Sequence, residues 1–197
     1  MVETVKKVVH QAKARVFGGD THVEGKILSV FETATEVIRK GKASKPTEFG
    51  KMVKIQEAEN QIVIGFEVYD RKPSDSDLLI PSIESHQTLT GRTPDLVAAD
   101  AGFYSANNVA EAEEMGVKRV SVPNRCTKSP ARKKHRKQRW FQKGQKWRTG
   151  CEGRISLLKR RHGLRRSLYK KEAGMKRWVG LGVIADNLIN LGKAMAQ

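Results

Sequence analysis

Two cysteines, Cys126 and Cys151, in 197 residues are too few for a disulfide framework, so a reducing, cytoplasmic setting is expected. No apolar run approaches the length that spans a bilayer, and no secretory signal pattern opens the chain, which argues against a membrane partner. Internal repeats and low-complexity tracts are absent too, which sets aside repeat architectures. Acidic side chains are scarce in one place only. Between Arg125 and Lys171 there are 19 Lys or Arg and a single acid, Glu152, for a net charge of +18. The other 150 residues carry 19 bases against 20 acids, so the formal net charge of +17 is confined to one stretch.

What is present suits a globular protein. Hydrophobic residues make up 38% and charged residues 30%, enough for one domain with a core and a helical appendage. Clustered positive charge is the footprint of phosphate-backbone binding, with affinity that falls as salt rises. The simpler reading is a solvated basic tail. Trp140, Phe141, Trp147, Ile155, Leu157 and Leu158, interleaved with the bases, oppose it, because a tail has no use for buried anchors.

Val5, Val8, Val9, Ala12 and Val16 recur at helical spacing, which predicts an amphipathic helix over 3–16 ending near Gly18-Gly19. Lys26–Phe31 and Glu36–Ile38 lean toward strands, and a basic, turn-rich link runs from Arg39 to Pro46. Met52–Gln56 and Gln61–Tyr69 predict a hairpin, with Ile62, Ile64, Phe66 and Val68 on one half-buried face. Ser74–Asp77 offers caps for a helix carrying Leu78, Leu79, Ile83 and His86, with Pro81 in its first turn. Leu96–Ala99 reads as a central, doubly covered strand, Ala106–Met115 as a helix closed by Gly116, and Arg119–Pro123 as another strand. After a basic link, Lys146–His162 predicts a helix capped by Gly163, and Met175–Ala196 a second. Val179, Val183, Ile184, Leu188 and Leu191 would form that last helix's apolar stripe, with Gly180 and Gly182 allowing close packing. The expected class is a mixed α/β sheet with flanking helices.

Two acids stand out. Asp100 ends the apolar run Leu96–Ala99, and a carboxylate buried there would need a cation, backbone donors or a metal. Strand tips of open α/β sheets are where ligands sit. The plainer role is to cap the following helix. Glu152 is the lone acid of the basic block. It could simply neutralise Arg148 or Lys159 on its own helix. Alternatively it serves a divalent metal while the bases around it hold phosphates. Arg148, Glu152, Ser156 and Lys159 fall on one helical face, with Cys151, Ile155 and Leu158 on a neighbouring core-facing stripe.

The run Leu96-Val97-Ala98-Ala99-Asp100-Ala101-Gly102-Phe103-Tyr104 resembles the second-acid strand of insertion-sequence DDE transposases, which have an RNase H-like fold. Arg148-x3-Glu152-x6-Lys159 is similar to that family's third-acid signature, and Lys45–Lys51 and Arg160–Leu164 are similar to family members as well. The resemblance covers about residues 39 to 192, so 39–197 would form the catalytic-type domain and 1–38 the remnant of a helical insertion. It implies DNA strand cleavage and joining at transposon ends by two-metal phosphoryl transfer. Asp100 and Glu152 would be catalytic metal ligands, and Mg²⁺ (or Mn²⁺) the ion, with the pair about 3.5–4 Å apart. Arg148, Lys159, Arg160, Arg161 and Lys146 would grip the DNA backbone. The implied partners are double-stranded DNA (transposon ends and target) and possible homodimer formation, in a nucleoid-associated setting.

Two departures from the family pattern matter. Its signature opens with Tyr three residues before the Arg, and here Gln145 stands there, still able to meet a phosphate. The first family Asp has no counterpart: Asp20 lies in a Gly-Gly-Asp-Thr-His turn, and Glu24 and Glu32 are the wrong acid. A chain truncated before that Asp is expected to be a poor or dead nuclease. The alternative reading is a non-enzymatic basic nucleic-acid-binding protein, and a weaker one is another RNase H-like nuclease, a resolvase or integrase. Cys126, His135, Cys151 and His162 lack the close pairs of a structural zinc site.

Overall fold

The computed structural model describes residues 2–30, 32–33, 35–39, 47–125 and 128–196. Helix α1, Val2–Gly18, carries the expected valine repeat and ends before Gly19, whose positive φ of 66° closes it. No α1 residue is buried. Gln11 ties it to the segment that follows: its side chain donates to the Ile27 carbonyl (2.9 Å) and accepts from the Ile27 amide (2.8 Å). These two hydrogen bonds take both backbone groups that Ile27 would offer to a strand. Residues 26–30 are accordingly irregular rather than the predicted strand, and Phe31 lies outside the described residues.

Strands pair two by two. β1 (Glu36–Arg39) runs antiparallel to β2 (Thr47–Gly50), while 40–46 of the predicted basic link lie outside the described residues. β3 (Val53–Glu57) and β4 (Val63–Val68) form the predicted hairpin. Its turn is held by Asn60 and Gln61, both at positive φ (57° and 63°). The register slips between Gln56, which faces Gly65, and Glu57, which faces Val63, so Ile64 is an extra residue on β4. The bulge changes which side chains point inward: Val63 joins Val68 in the core, whereas the predicted face ran through Ile62 and Ile64.

A one-turn 3-10 helix, Asp75–Leu78, leads into α2 (Leu79–Thr90), with Pro81 in its first turn as expected. Neither Ser74 nor Leu78, at the two N-cap positions, makes a side-chain cap bond, and the hydroxyls of Ser74 and Ser76 bond each other at 2.7 Å instead. β5 (Leu96–Ala98) pairs in parallel with β6 (Arg119–Ser121) through α3 (Ala106–Glu114). Ser105 caps α3 by accepting from the Asn108 amide, 2.9 Å. The class is mixed α/β as expected, but the described strands make three two-stranded sheets. β5 therefore has a strand on one edge only and is half-buried, not doubly covered. Leu79, Ile83, Ala112, Val117, Val120 and Val122 form the core beside it.

The basic stretch is more ordered than a link. Pro130 opens a short helix, α4 (Pro130–Arg136), as the residue's fixed φ favours. α5 then runs from Arg139 to Arg161, starting seven residues before the predicted Lys146, and Gly163 follows it at φ 71°. α6 spans Lys171–Met195. Val179 and Val183 pack on Val63 and Val68, and Gly180 and Gly182 meet Phe66 and Leu164 as the sequence predicts. Ile184, Leu188 and Leu191 do not join that face: they are exposed, and Asp186 and Asn190 are buried in their place. No described helix is long and apolar enough to cross a membrane.

Polar pairing explains the reversal. Arg154, on α5, lies between Glu57 of β3 (3.3 Å) and Asp186 of α6 (3.2 Å), with side-chain exposures of 7%, 3% and 2%. Arg154 also donates to Gln61, and Asn190 donates to Asp186 (3.2 Å) and to the Gln61 carbonyl (3.0 Å). His162 Nε2 stands 3.5 Å from Asp186. Three buried charges thus satisfy one another across three elements. The same network displaces Ile155, which the sequence places in the core stripe but which is exposed.

Arg154→Ala strands two buried carboxylates, so urea denaturation followed by circular dichroism should show a loss of about 3–5 kcal/mol. A loss below about 1 kcal/mol, the range of a surface ion pair, would mean that the network does not hold the fold together.

Candidate nucleic-acid interface and its carboxylates

Asp100 follows β5 and begins a one-turn 3-10 helix, Ala101–Phe103, whose first amide (Ala101) it accepts. Its carboxylate also receives Arg125 at 3.0 Å. The compensation expected for this acid comes from a cation and a backbone donor together. Its side chain is 50% exposed, however, so the acid sits at a surface turn rather than in a buried strand end. Helix capping is realised locally, at the 3-10 turn, while Ser105 caps α3. Gly102 of the same turn lies against a second carboxylate that the sequence did not single out: a Cβ there would stand 2.7 Å from Asp75 Oδ2 and 3.1 Å from its Cβ.

Glu152 projects from α5 and is 61% exposed. Arg148, one turn earlier, donates to it at 2.6 Å, so the neutralising role read from the sequence is the contact the fold makes. Arg148 is only 24% exposed, and its buried Nε has no hydrogen-bond partner among the described residues. Ser156, Lys159, Arg160, Arg161 and Lys146 are exposed. Arg160 Nε donates to the Ser156 carbonyl, 3.4 Å.

Gln145 and Gly144 fix where this helix lies. The Gln145 amide nitrogen donates toward the Ala99 carbonyl (3.4 Å) and to the carbonyl and hydroxyl of Ser121, the latter at 3.1 Å. The side chain expected to meet a phosphate is instead half-buried, tying α5 to the ends of both β5 and β6. Gly144 passes so close to β6 that a Cβ would lie 2.8 Å from Ser121 Cβ and Oγ. Glu152 lies seven residues beyond Gln145, about 10 Å along the helix axis. Each of the two carboxylates is held by its own arginine, Asp100 by Arg125 and Glu152 by Arg148.

The short helix α4 supplies more charge beside this surface. Arg132 stacks over the Tyr104 ring at 5.8 Å, which brings α4 to the turn that Asp100 begins. Lys133, Lys134, Arg136, Lys137, Arg139 and Lys143 are exposed along α4 and the start of α5. His135, Trp140 and Phe141 pack edge to face at 5.2–5.6 Å between centroids, joining the two helices. The interleaved aromatics thus act as anchors, as the sequence predicts.

As metal donors the residues fall short. Among the described residues no three His, Cys, Asp or Glu side chains come together. Asp100 and Glu152 offer the oxygen ligands a hard cation prefers, and each is exposed and paired with an arginine. The zinc alternative gains no support: Cys126 is outside the described residues, and Cys151 donates to Glu57 Oε1 at 3.4 Å. Burial, reinforced by that carboxylate, pushes the Cys151 thiol up to about 12.

Comparison with known proteins gives one family. The family model of the transposase DDE domain matches residues 23–188. No curated protein and no solved structure matches the chain.

Gly144→Ala should destabilise by about 1–3 kcal/mol in thermal or urea unfolding, because Ser121 must move. Gly150→Ala and Gly153→Ala, on the same helix with nothing within 4 Å, should instead stabilise by up to about 1 kcal/mol. Equal effects at all three positions would refute the close approach of α5 to β6. In a Cys126→Ser chain at pH 8, Cys151 should react with a disulfide reagent at least about 100-fold more slowly folded than in denaturant. Comparable rates would show that the thiol is neither buried nor raised.

Proposed function

The chain belongs to the transposase DDE domain family, and from that premise we propose that it serves transposition by gripping double-stranded DNA on the basic surface of α4 and α5. The observation that carries the reading is the joint placement of two features. The family match spans 23–188, and within it the +18 segment folds into helices whose bases face solvent beside the Asp100 turn. Lys146, Lys159, Arg160 and Arg161 are exposed on the same helix and can follow a phosphate backbone, while Arg148 is paired with Glu152. The counterions these groups release on binding make affinity fall steeply with salt.

In the family's reaction, strand cleavage and joining at transposon ends, Mg²⁺ or Mn²⁺ would be held by acidic side chains, with Asp100 and Glu152 as two of them. No cluster of three His, Cys, Asp or Glu side chains forms among the described residues, and the part we assign to this chain's own residues is to bind and orient DNA. We place the domain in the RNase H-like class on the strength of the motif order along the chain. The β3–β4 hairpin, the parallel β5–β6 pair and a basic helix carrying Glu152 follow one another along the chain, and this order supports that reading.

The test is a gel-shift titration on a short duplex at several salt concentrations. Replacing Lys159, Arg160 and Arg161 by Ala should make the slope of log affinity against log salt shallower by about 3, at roughly 0.9 for each phosphate that is no longer neutralised. An unchanged slope would rule out the α5 bases as the contact surface. In the same protein Mg²⁺ should not produce plasmid nicking above that of Asp100→Ala. Nicking that Asp100→Ala abolishes would mean that the chain completes a metal centre after all.

A further inference from the structure

The loop that joins α5 to α6, residues 162–170, places its two leucines in opposite surroundings. Leu164 packs against the core of Val63, Val68, Val179 and Val183. Leu168 is 70% exposed, and Tyr169 beside it 46%. The tip that carries them is held, not slack. The Ser167 hydroxyl donates to the Tyr169 carbonyl (2.9 Å) and accepts from the Tyr169 amide (3.2 Å). The Tyr169 ring leans on Trp178 at 5.4 Å between centroids, and Trp178 Nε1 donates to the Gly163 carbonyl at the other end of the loop, 3.0 Å. Behind Tyr169, α6 has a glycine: a Cβ on Gly174 would stand 3.0 Å from Tyr169 Cβ. Lys171 closes the loop at φ 64°, a value that residues other than glycine hold only where their surroundings enforce it. An apolar side chain is thereby presented to solvent from a fixed backbone.

Charge surrounds it. Arg165, Arg166, Lys170 and Lys171 are exposed on both sides of Leu168, and no acid occurs from Gly153 to Lys171. Glu172, which follows, is taken by Lys176 at 2.5 Å. We propose that Leu168 is a wedge that enters duplex DNA between two stacked base pairs from the minor groove, while the four bases beside it hold the phosphates. Two arguments select this occupant. The first is size. Leu168 and Tyr169 together expose far less than the roughly 800 Å² that each partner gives to a specific protein interface, whereas an opened base step takes a single apolar side chain. The second is continuity. The loop leaves α5 directly after Lys159, Arg160 and Arg161, so a duplex lying on those bases passes on to the next four without meeting a negative charge. The proposal rests on the DNA reading of α5 and adds that the chain distorts the duplex it grips.

The test does not require a known binding sequence. Closed circular plasmid is relaxed by a topoisomerase with the full chain bound, stripped of protein, and its topoisomers are resolved on a gel. The wild-type chain should lower the linking number in proportion to the protein bound, because a side chain inserted between base pairs unstacks and unwinds the step. Leu168→Ala at equal occupancy should lose most of that shift and keep the wild-type slope of log affinity against log salt, since no phosphate contact is removed. Leu168→Phe should keep the shift. Replacing Arg165 and Arg166 together by Ala should instead make the slope shallower by about 2, at roughly 0.9 for each phosphate. Leu188→Ala, at a similarly exposed leucine of α6 (63%), should change neither reading. A shift as large in Leu168→Ala as in wild type overturns the wedge and leaves the grip of α5 on DNA standing. So does the absence of any shift from a wild-type chain whose binding has the salt slope set by the α5 bases. A chain that binds no duplex at all sinks both.

Discussion

The arrangement of the long helices depends on the guanidinium of Arg154, shared by two buried carboxylates. Glu57 belongs to the β3–β4 hairpin and Asp186 to α6, so one side chain of α5 binds both neighbours at once. Each charge is nearly withdrawn from water, and none is tolerable there without the other two. The rotation of both helices follows from this. Two residues along α5 are about 200° apart around the axis, so Arg154 turned inward leaves Glu152 turned outward. Asp186 turned inward leaves Ile184, Leu188 and Leu191 outward by the same geometry. The acid that faces solvent on α5 and the apolar row that faces solvent on α6 are two results of one constraint.

That constraint also explains where the sequence could be read and where it could not. The valine repeat of α1, the hairpin, α2 with its proline, and α3 with its serine and glycine ends are local patterns, and the structure follows them. The apolar stripe of α6 is not local. Hydropathy assigns Leu188 to the core and Asp186 to water, and only the partners 32 and 129 residues away reverse it. Ile155 yields its inward place for the same reason. Within the described part of the strand expected at 26–31, residues 26–30, Gln11, 16 residues upstream, occupies the backbone of Ile27 with its side-chain amide. α4 was hidden because a run of bases with one proline reads as a link, and its aromatic anchors lie on the next helix.

At the candidate site the residue types were legible and their engagements only partly so. Asp100 and Glu152 stand out in the sequence as an acid ending an apolar run and an acid alone among bases. The pairing of Glu152 with Arg148 is readable from helix spacing, while that of Asp100 with Arg125 spans 25 residues with no periodic signal. Gln145 shows the sharper limit. A polar residue in a basic helix suggests solvent, yet its three acceptors are at the strand ends, and it serves the packing that places the helix. The Arg160–Leu164 motif is similarly divided: the arginines face outward, and His162 and Leu164 pack on Gly182 beneath them.

One small contact on α6 has a consequence for the behaviour of the chain in a crowded cell. The Asn187 side chain accepts from the amide of Val63 at 2.9 Å and donates to its carbonyl at 2.8 Å, just as a neighbouring strand would. It occupies backbone groups of β4 that point away from β3. Exposed edge groups of that kind recruit foreign strands and seed insoluble aggregates. An amide from a helix can satisfy them and propagate no further, so at this point the hairpin ends in a plug rather than a template.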